Sequence, residues 1–290
     1  MSAPLFSIIT PTYKRPELLA RAIRSVRAQT CQSWEMCIVD NHSPDDTLEL
    51  IAQFHDPRLR VAQIHNEGII ARSRNRALSM ASGTYLAFLD SDDWWRADKL
   101  EIARQQMEAG ADLFYHDLEI VPESKRWFRA PTLGTGPLAA PVFENLKRHG
   151  NRIPNSSVVL RRTLATQVGS LSEDPDLAAA EDYDYWLRCA RQTDAFVFSS
   201  QRLGSYWLAG NSMSTAARTL RWAEALRARY GQDAFPWMTY TLARAHYAQG
   251  EYKEVLAHLD QVNRIDVGVP RLLRAKALKA LTAFKTFRTH

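Results

Sequence analysis

The sequence predicts an α/β protein: a mostly parallel sheet flanked by helices, followed by an α-helical C-terminal extension. Three observations carry that prediction. Short apolar runs at Phe6–Thr10, Met36–Asp40, Leu59–Ile64, Tyr85–Leu89 and Leu113–Leu118 alternate with amphipathic stretches of helical length, the pattern of a sheet covered on both faces. Two of the runs lead into carboxylates, Asp40 and Asp90, and in such sheets ligands bind beyond the carboxyl ends of the strands. After Ser214 the text turns helical and rich in Ala, Leu, Arg and Tyr, which marks a boundary between a domain over 1–214 and an extension over 215–290.

Taken in order, Phe6–Thr10 stops at Pro11, and PTYKRP leads into a helix carried by Leu18, Leu19, Ala22, Ile23 and Val26. Pro16 suits its first position, where the missing N–H costs nothing. Ser43 before Pro44, Asp45 and Asp46 reads as an N-cap opening a helix toward Phe54. Ile69–Ala81 reads as a basic helix closed by Gly83, and Arg96–Ala109 as another helix. Val121–Arg152 is rich in Pro, Gly and aromatic residues without periodicity, and reads as long loops shaping a pocket. Asn155–Arg162 reads as a strand, Glu181–Arg191 as a short helix burying Trp186, Leu187 and Ala190, and Ala195–Ser199 and Leu203–Trp207 as brief strands.

At 290 residues and 46% hydrophobic content, the chain can bury one large core or two modest ones. A net charge of +5 favours anionic ligands, but no nucleic-acid-binding motif is present and no nucleic acid partner is expected. Cys31, Cys37 and Cys189 have neither CxxC spacing nor disulfide-scaffold density, which points to a reducing compartment. No signal-peptide-like apolar region comes after Met1, and no stretch approaches the roughly 18–20 apolar residues of a membrane span. The expected location is cytoplasmic, with peripheral attachment to the inner face of a membrane left open. Absence of GxGxxG after the first strand and of GxxxxGK[ST] argues against a dinucleotide fold and a P-loop.

The chemistry concentrates in Tyr85–Trp95, YLAFLDSDDWW. On extended chain Asp90 and Asp92 point the same way and Asp93 the other. Two convergent carboxylates at a strand end suit a hard divalent cation, Mn²⁺ or Mg²⁺, held together with phosphate oxygens. A solvated acidic turn accounts for the triplet alone equally well. The segments on either side of it along the chain shift the balance.

The ordered set ITPTYKRP, CIVDNHSPDDT, ARSRNRAL, YLAFLDSDDWW, NSSVVLRR and AEDYDYWLR, spanning about Phe6 to Ser214, resembles the family 2 glycosyltransferases of GT-A (Rossmann-like) fold. Each piece alone is weak; their order is specific. The resemblance implies an inverting, metal-dependent transferase moving a sugar from a nucleotide-sugar donor to an acceptor hydroxyl. It divides the domain into a nucleotide-sugar half over about 1–118 and an acceptor half over 119–214. It implies that Thr10, Pro11, Thr12, Tyr13 and Arg15 flank the nucleotide and that Asp40 bonds the base, commonly uracil. Arg74 and Asn75 then lie near the phosphates, with Arg72 competing for that role. Asp90 and Ser91 sit by the ribose and phosphates, Asp92 with Asp90 holds the metal, Glu181 and Trp186 contact substrate, and Asp182 is the catalytic base. A solvated helix face would equally explain Arg72, Arg74 and Arg76, and a turn cap would explain Asp40. The start of a helix would help keep Asp182 ionised. Many family members carry a Tyr-Arg-x-His segment where this chain has Tyr206-Trp207-Leu208-Ala209, so the Arg and the His are missing. Asn41 and His42 also replace a common Asp-Gly, which loosens the inference to uracil.

In the extension, Leu242, Ala243, Tyr247, Gly250, Tyr252, Val255, Leu259 and Val262 resemble one tetratricopeptide unit broken at Gly250. A helical pair packed on the catalytic domain is the plainer reading, since one repeat makes no solenoid. From Arg271 to Arg288 there is no acid, and Leu273, Ala277, Ala280, Leu281, Phe284 and Phe287 share a helical face that suits an anionic membrane surface or the body of the protein. The acceptor is a glycan, a lipid-linked saccharide or a protein. Two other functions compete: a catalytically degenerate nucleotide-sugar binding module, and a phosphotransferase with a DxD nucleophile.

Overall fold

The computed structural model of the chain describes residues 3–123, 132–133, 136–208, 215–262 and 274–282. Strands β1 (Phe6–Thr12), β2 (Trp34–Asp40), β3 (Leu59–Gln63) and β4 (Tyr85–Phe88) pair in parallel. β6 (Leu113–Pro122) pairs in parallel with β9 (Phe196–Leu208). β5 (Trp94–Trp95), β7 (Thr132–Leu133) and β8 (Val159–Arg161) run antiparallel to their neighbours. The strand order is β3-β2-β1-β4-β8-β6-β9-β5, with β7 beside β6, so the sheet is mostly parallel, as the alternation predicts.

Residues alternate between two cores. Ile9, Val39, Phe88 and Tyr115 enter one cluster, whereas Ile8, Ile38, Ala87 and Phe114 enter the other. This is the period of two that puts successive strand side chains on opposite faces. Helices α1 (Pro16–Arg27) and α4 (Lys99–Glu108) cover the second face through Leu19, Ile23, Val26, Leu100 and Met107. The first face is covered by α3 (Ile70–Met80), α5 (Val142–His149), α6 (Arg162–Val168) and α7 (Glu181–Ala190). Pro16 stands in the first turn of α1, as expected.

Local bonding redraws several boundaries. Ser43 does not cap a helix: its N–H and hydroxyl both donate to the Asp40 carboxylate, at 3.0 and 2.5 Å, which holds 43–46 as a turn. Helix α2 (Thr47–Ala52) begins after Asp46 instead. Gly83 does not close α3. Its N–H donates to Ser7 Oγ at 2.8 Å, and a Cβ there would meet the Ser7 nitrogen at 2.7 Å, so close backbone approach explains the glycine. Asn155–Ser157 is a single 3₁₀ turn ahead of β8, and Arg162 opens α6 rather than ending a strand. The two brief strands near residue 200 are one long β9, with a register shift at His116–Leu118 opposite it. Helix α5 lies inside the stretch read as loops; residues 124–131 and 134–135 of that stretch lie outside the described residues.

Beyond the sheet, α8 (Ala216–Tyr230) joins the larger core through Ala223 and Leu226. Helices α9 (Met238–Gln249) and α10 (Tyr252–Val262) meet at left-handed Gly250, φ +80°, the break the sequence suggests. Ala243, Val255, Leu259 and Ala275 form a small separate cluster, the last from a helical segment over 274–282. Ala277 and Ala280 are exposed and Leu281 is 56% exposed, while Leu273, Phe284 and Phe287 lie outside the described residues. Among the described residues, no helix is long and apolar enough to cross a membrane.

Candidate active site

The loops after β1, β2 and β4 meet on one rim because these strands are parallel neighbours. Lys14 N–H donates to Ser43 Oγ at 2.9 Å and Asn41 N–H to the Thr12 carbonyl at 3.0 Å, tying the first two loops together. Thr10, Pro11 and Thr12 are buried on β1, and the Thr10 and Thr12 hydroxyls have no hydrogen-bond partner. Tyr13 is 44% exposed, and Lys14 adopts a left-handed φ of +53°. Asp40 is fully buried, and its carboxylate accepts from Ser43 and from Gln63 Nε2 at 2.9 Å. It therefore orders this rim rather than presenting a free oxygen. The imidazoles of His42 and His65 stack at 3.8 Å beside it.

The acidic triplet splits as its alternation suggests. Asp93 turns inward, 1% exposed, and accepts the Trp207 N–H at 2.8 Å. Burial first, then Asp90 and Asp92, push its carboxyl well above the usual range. Asp90 and Asp92 stay on the rim, partly exposed, with Ser91 buried between them. Asp92 pairs with Arg15, while its carbonyl accepts from Arg21 Nη2 at 2.7 Å. Burial and the Asp90 charge raise the Asp92 carboxyl although Arg15 opposes them. The Arg21 guanidinium lies over the Trp94 and Trp207 rings, at 3.7 and 4.7 Å from their centroids.

Arg74 connects this cluster to the start of α7. It is 4% exposed, donates through Nη2 to Asp90 at 2.8 Å and through Nη1 to Glu181 at 2.5 Å. Burial works against its charge, but Asp90 and Glu181 keep it protonated. Asn155 Nδ2 also donates to Asp90, at 2.9 Å, and the Asp90 N–H donates to Ser156 Oγ at 3.1 Å. Of the arginine candidates, then, Arg74 enters the cleft. Arg72 stays at the surface with Glu67 and Glu173. Asn75 faces away and brackets Leu171, accepting its N–H at 2.9 Å and donating to its carbonyl at 3.0 Å. Its amide is saturated by that loop, so the expected phosphate contact is replaced by a structural one.

Asp182, the second residue of α7, accepts the Tyr183 N–H at 2.7 Å and Asn151 Nδ2 at 3.3 Å. Burial, then the Glu181 charge, push its carboxyl up to about 7, with Arg74 pulling the other way. The helix start does not keep it fully ionised, contrary to expectation. A helix N-terminus contributes only about 0.3–1 kcal/mol, less than lost hydration and the neighbouring carboxylates cost the anion. Trp186 is a further correction: it is 0% exposed, with its ring edge-on to Phe88 at 5.5 Å. It anchors α7 in the core and cannot touch substrate.

Tyr206 on β9 is the residue that sequence reasoning passed over. Burial, then Asp93, Asp92, Asp90 and Asp182, push its phenol up to about 12, so it stands within the field of the acidic triplet and of Asp182. Its signal lay in the Tyr that survives of the family's Tyr-Arg-x-His segment. Asn155 had a signal too, as the first residue of NSSVVLRR; Asn151 had none.

Comparison with known proteins identifies the family and the fold. The glycosyl transferase family 2 model matches residues 7–162. The UDP-Glc:alpha-D-GlcNAc-diphosphoundecaprenol beta-1,3-glucosyltransferase WfgD of Escherichia coli is 30% identical over 223 residues, 74% of this chain and 83% of that protein. TuaG of Bacillus subtilis, named for teichuronic acid biosynthesis, is 43% identical over 100 residues, but the match spans only 40% of its length. The crystal structure of S. aureus TarS 1-349 in complex with UDP-GlcNAc superposes with a TM-score of 0.63 at 18% identity, over 96% of this chain and 88% of that one. That likeness concerns the fold, a GT-A sheet with helices on both faces. With the family model matched over more than half of its length, the chain belongs to glycosyl transferase family 2.

Proposed function

We propose that this glycosyltransferase moves a sugar from a UDP-linked donor to an acceptor hydroxyl with inversion at the anomeric carbon, in the synthesis of a polysaccharide, lipopolysaccharide or other glycoconjugate. One observation carries the reading: the guanidinium of Arg74 bonds Asp90 of the DxD segment and Glu181, the neighbour of Asp182, and so binds both halves of the reaction into one cleft. The names of the relatives, one for teichuronic acid biosynthesis and one for glucosyl transfer to a diphosphoundecaprenol-linked sugar, support the class of product. WfgD is named for a UDP-glucose donor and TarS was solved with UDP-GlcNAc, which support UDP.

The donor set fits Mn²⁺ or Mg²⁺. Asp90 and Asp92 offer oxygen ligands alone, and the charge of one raises the other, an arrangement that a cation relieves. Among the described residues no group of three or more His, Cys, Asp or Glu is placed to hold a metal ion, so an ion here would have to draw its remaining ligands from substrate phosphates and water. Asp92 and Asp90 would hold it, and the ion would supply Lewis-acid stabilisation of the departing diphosphate. The chain does the rest. Thr10–Tyr13 and the Asp40 rim receive the nucleoside, and Arg15 adds positive charge beside Asp92. Asp182 accepts the proton of the acceptor hydroxyl, and a carboxyl titrating near 7 suits a general base at neutral pH. Inversion needs only this one base, because the acceptor attacks from the side opposite the leaving group.

Thermal shift with UDP- and GDP-linked sugars in Mn²⁺, followed by a turnover assay, tests the reading. A UDP-sugar should raise the Tm by mass action and be consumed in the presence of acceptor. Binding without any turnover would favour a binding module; hydrolysis of simple phosphate esters would favour a phosphotransferase. The same reading puts the enzyme in the cytoplasm, where Ala277, Ala280 and Leu281 face outward on a basic segment and bring it to an anionic membrane surface. Full-length protein should then sediment with anionic liposomes at low salt.

A further inference from the structure

The last member of the Asp182 neighbourhood leads to a second chamber. Asn151, which donates to Asp182 at 3.3 Å, also lines a cavity of about 280 Å³. Its walls come from three places in the chain: His149, Gly150 and Asn151 at the end of α5, Ala179, Ala180 and Tyr183 around the start of α7, and Trp222, Trp237 and Thr241 from the C-terminal segment. The two indoles stack with centroids 6.1 Å apart and planes 27° from parallel. Trp237 is braced by Tyr183, edge-on at 5.9 Å, and by Gly150, whose φ is +88° and whose Cβ position is 3.0 Å from the ring. No larger residue fits at that glycine without moving the indole.

Two adjacent residues of α7 thus face different partners. Glu181 meets Arg74, whose other arm holds Asp90, while Asp182 meets Asn151, which lines the aromatic chamber. A general base must touch the acceptor, and Asn151, the hydrogen-bond partner of Asp182, opens onto this cavity. At about 280 Å³ the chamber lies just under the usual range of ligand pockets, which suits one ring rather than a larger ligand; it has an apolar aromatic wall and carries polar groups at His149, Asn151 and Thr241. That combination suits a pyranose, whose C–H face packs on indole while its hydroxyls reach polar side chains.

We propose that this cavity is an acceptor subsite for a saccharide, and that the C-terminal helices set acceptor choice by supplying its aromatic wall. The proposal rests on the transferase reading and goes beyond it: the family model ends at residue 162, before Trp222, Trp237 and Thr241. The acceptor is then a glycan or a lipid-linked saccharide, with a sugar ring next to the attacking hydroxyl.

The test is saturation-transfer NMR on the full chain with methyl glycosides of glucose, galactose and N-acetylglucosamine, with UDP-sugar affinity measured in parallel. At least one glycoside should bind, with saturation concentrated on one ring face. Trp222→Leu, which keeps apolar volume, should weaken it about tenfold, whereas Trp222→Phe should stay within about threefold. Thr241→Val serves as a second variant, removing a hydroxyl without loss of volume, and should weaken binding several-fold. UDP-sugar affinity should be unchanged in all three. No glycoside binding by wild-type protein that does bind UDP-sugar, or equal binding by the Leu and Phe variants, overturns the subsite and leaves the transferase reading intact. Tryptophan-dependent glycoside binding without any affinity for nucleotide sugars supports the subsite and overturns the transferase reading instead.

Discussion

Arg74 and Glu181, 107 residues apart in the chain, meet at 2.5 Å inside the protein. The contact joins α3 to the first residue of α7, and the other arm of the same guanidinium holds Asp90. Removing Arg74 leaves Glu181, and to a lesser degree Asp90, as carboxylates without a counter-charge. Arg74→Met should cost roughly 3–5 kcal/mol in urea unfolding, the usual penalty for breaking a buried pair from one side. Arg74→Lys should fall between, since an ammonium cannot reach both carboxylates with a planar fork. A loss below about 1 kcal/mol for the Met variant would show that the bridge does not hold the two halves together.

Much of this fold was legible because the central strands β1, β2 and β4 are buried on both faces and α1 shows one apolar stripe. Their order alone brings Thr12, Asp40 and Asp90 to one rim. What sequence could not reveal were long-range choices among equivalent local signals. Ser43-Pro44-Asp45 has every mark of a helix start, but the Asp40 carboxylate captures Ser43 first. Arg72 and Arg74 are two residues apart on one helix, and only burial against Asp90 and Glu181 distinguishes them. Trp186 lies one turn from Asp182 on the same side of α7, yet one turn further along, that side is covered by Phe88 and the core. The chamber at Trp222 and Trp237 joins segments with no shared motif, so no spacing announces it.

Glu35 offers a pH-dependent test of the sheet edge. Burial opposes its charge, but hydrogen bonds from Ser7 at 2.6 Å, Arg60 at 2.8 Å and the Ser82 N–H at 2.6 Å bring its carboxyl down to about 2. A depressed carboxyl contributes stability that is present above its unfolded value and is lost as pH falls through the folded one. Glu35→Gln should therefore lose up to about 3 kcal/mol at pH 7, and the gap from wild type should narrow between about pH 4.5 and 2. A gap independent of pH would assign the loss to packing.

For the metal, Asp92 and Asp93 should part company. Asp92→Asn should weaken UDP-sugar binding in Mn²⁺ by at least about tenfold, and chelator should erase the difference from wild type. Asp93→Asn should leave donor affinity nearly unchanged, because Asp93 is buried, turned away from the rim and bonded to the Trp207 N–H. Equal nucleotide binding with and without chelator would remove the metal from donor recognition.

Asp182 should be a stability cost in its ionised form. Its carboxyl titrates higher folded than unfolded, so the folded state binds the extra proton and stability falls as pH rises from about 4 to about 7. Asp182→Asn should raise the Tm at pH 8 and change it little at pH 4, the trade between stability and activity seen at working sites. A lower Tm at pH 8 would mean that the anion is held favourably after all.

In the proposed reaction Asp182 takes the acceptor's proton while the donor binds elsewhere in the same cleft. Single-turnover kinetics of Asp182→Asn, at saturating UDP-sugar and with the donor Kd measured alongside, decides whether it does. The rate should be lower by roughly 10²–10⁴-fold, the usual worth of a general base, with donor Kd within about twofold of wild type and, for the wild-type enzyme, a product of inverted anomeric configuration. A near-normal rate in the Asn variant, or a product that retains the donor's configuration, would rule Asp182 out as the base of an inverting transfer.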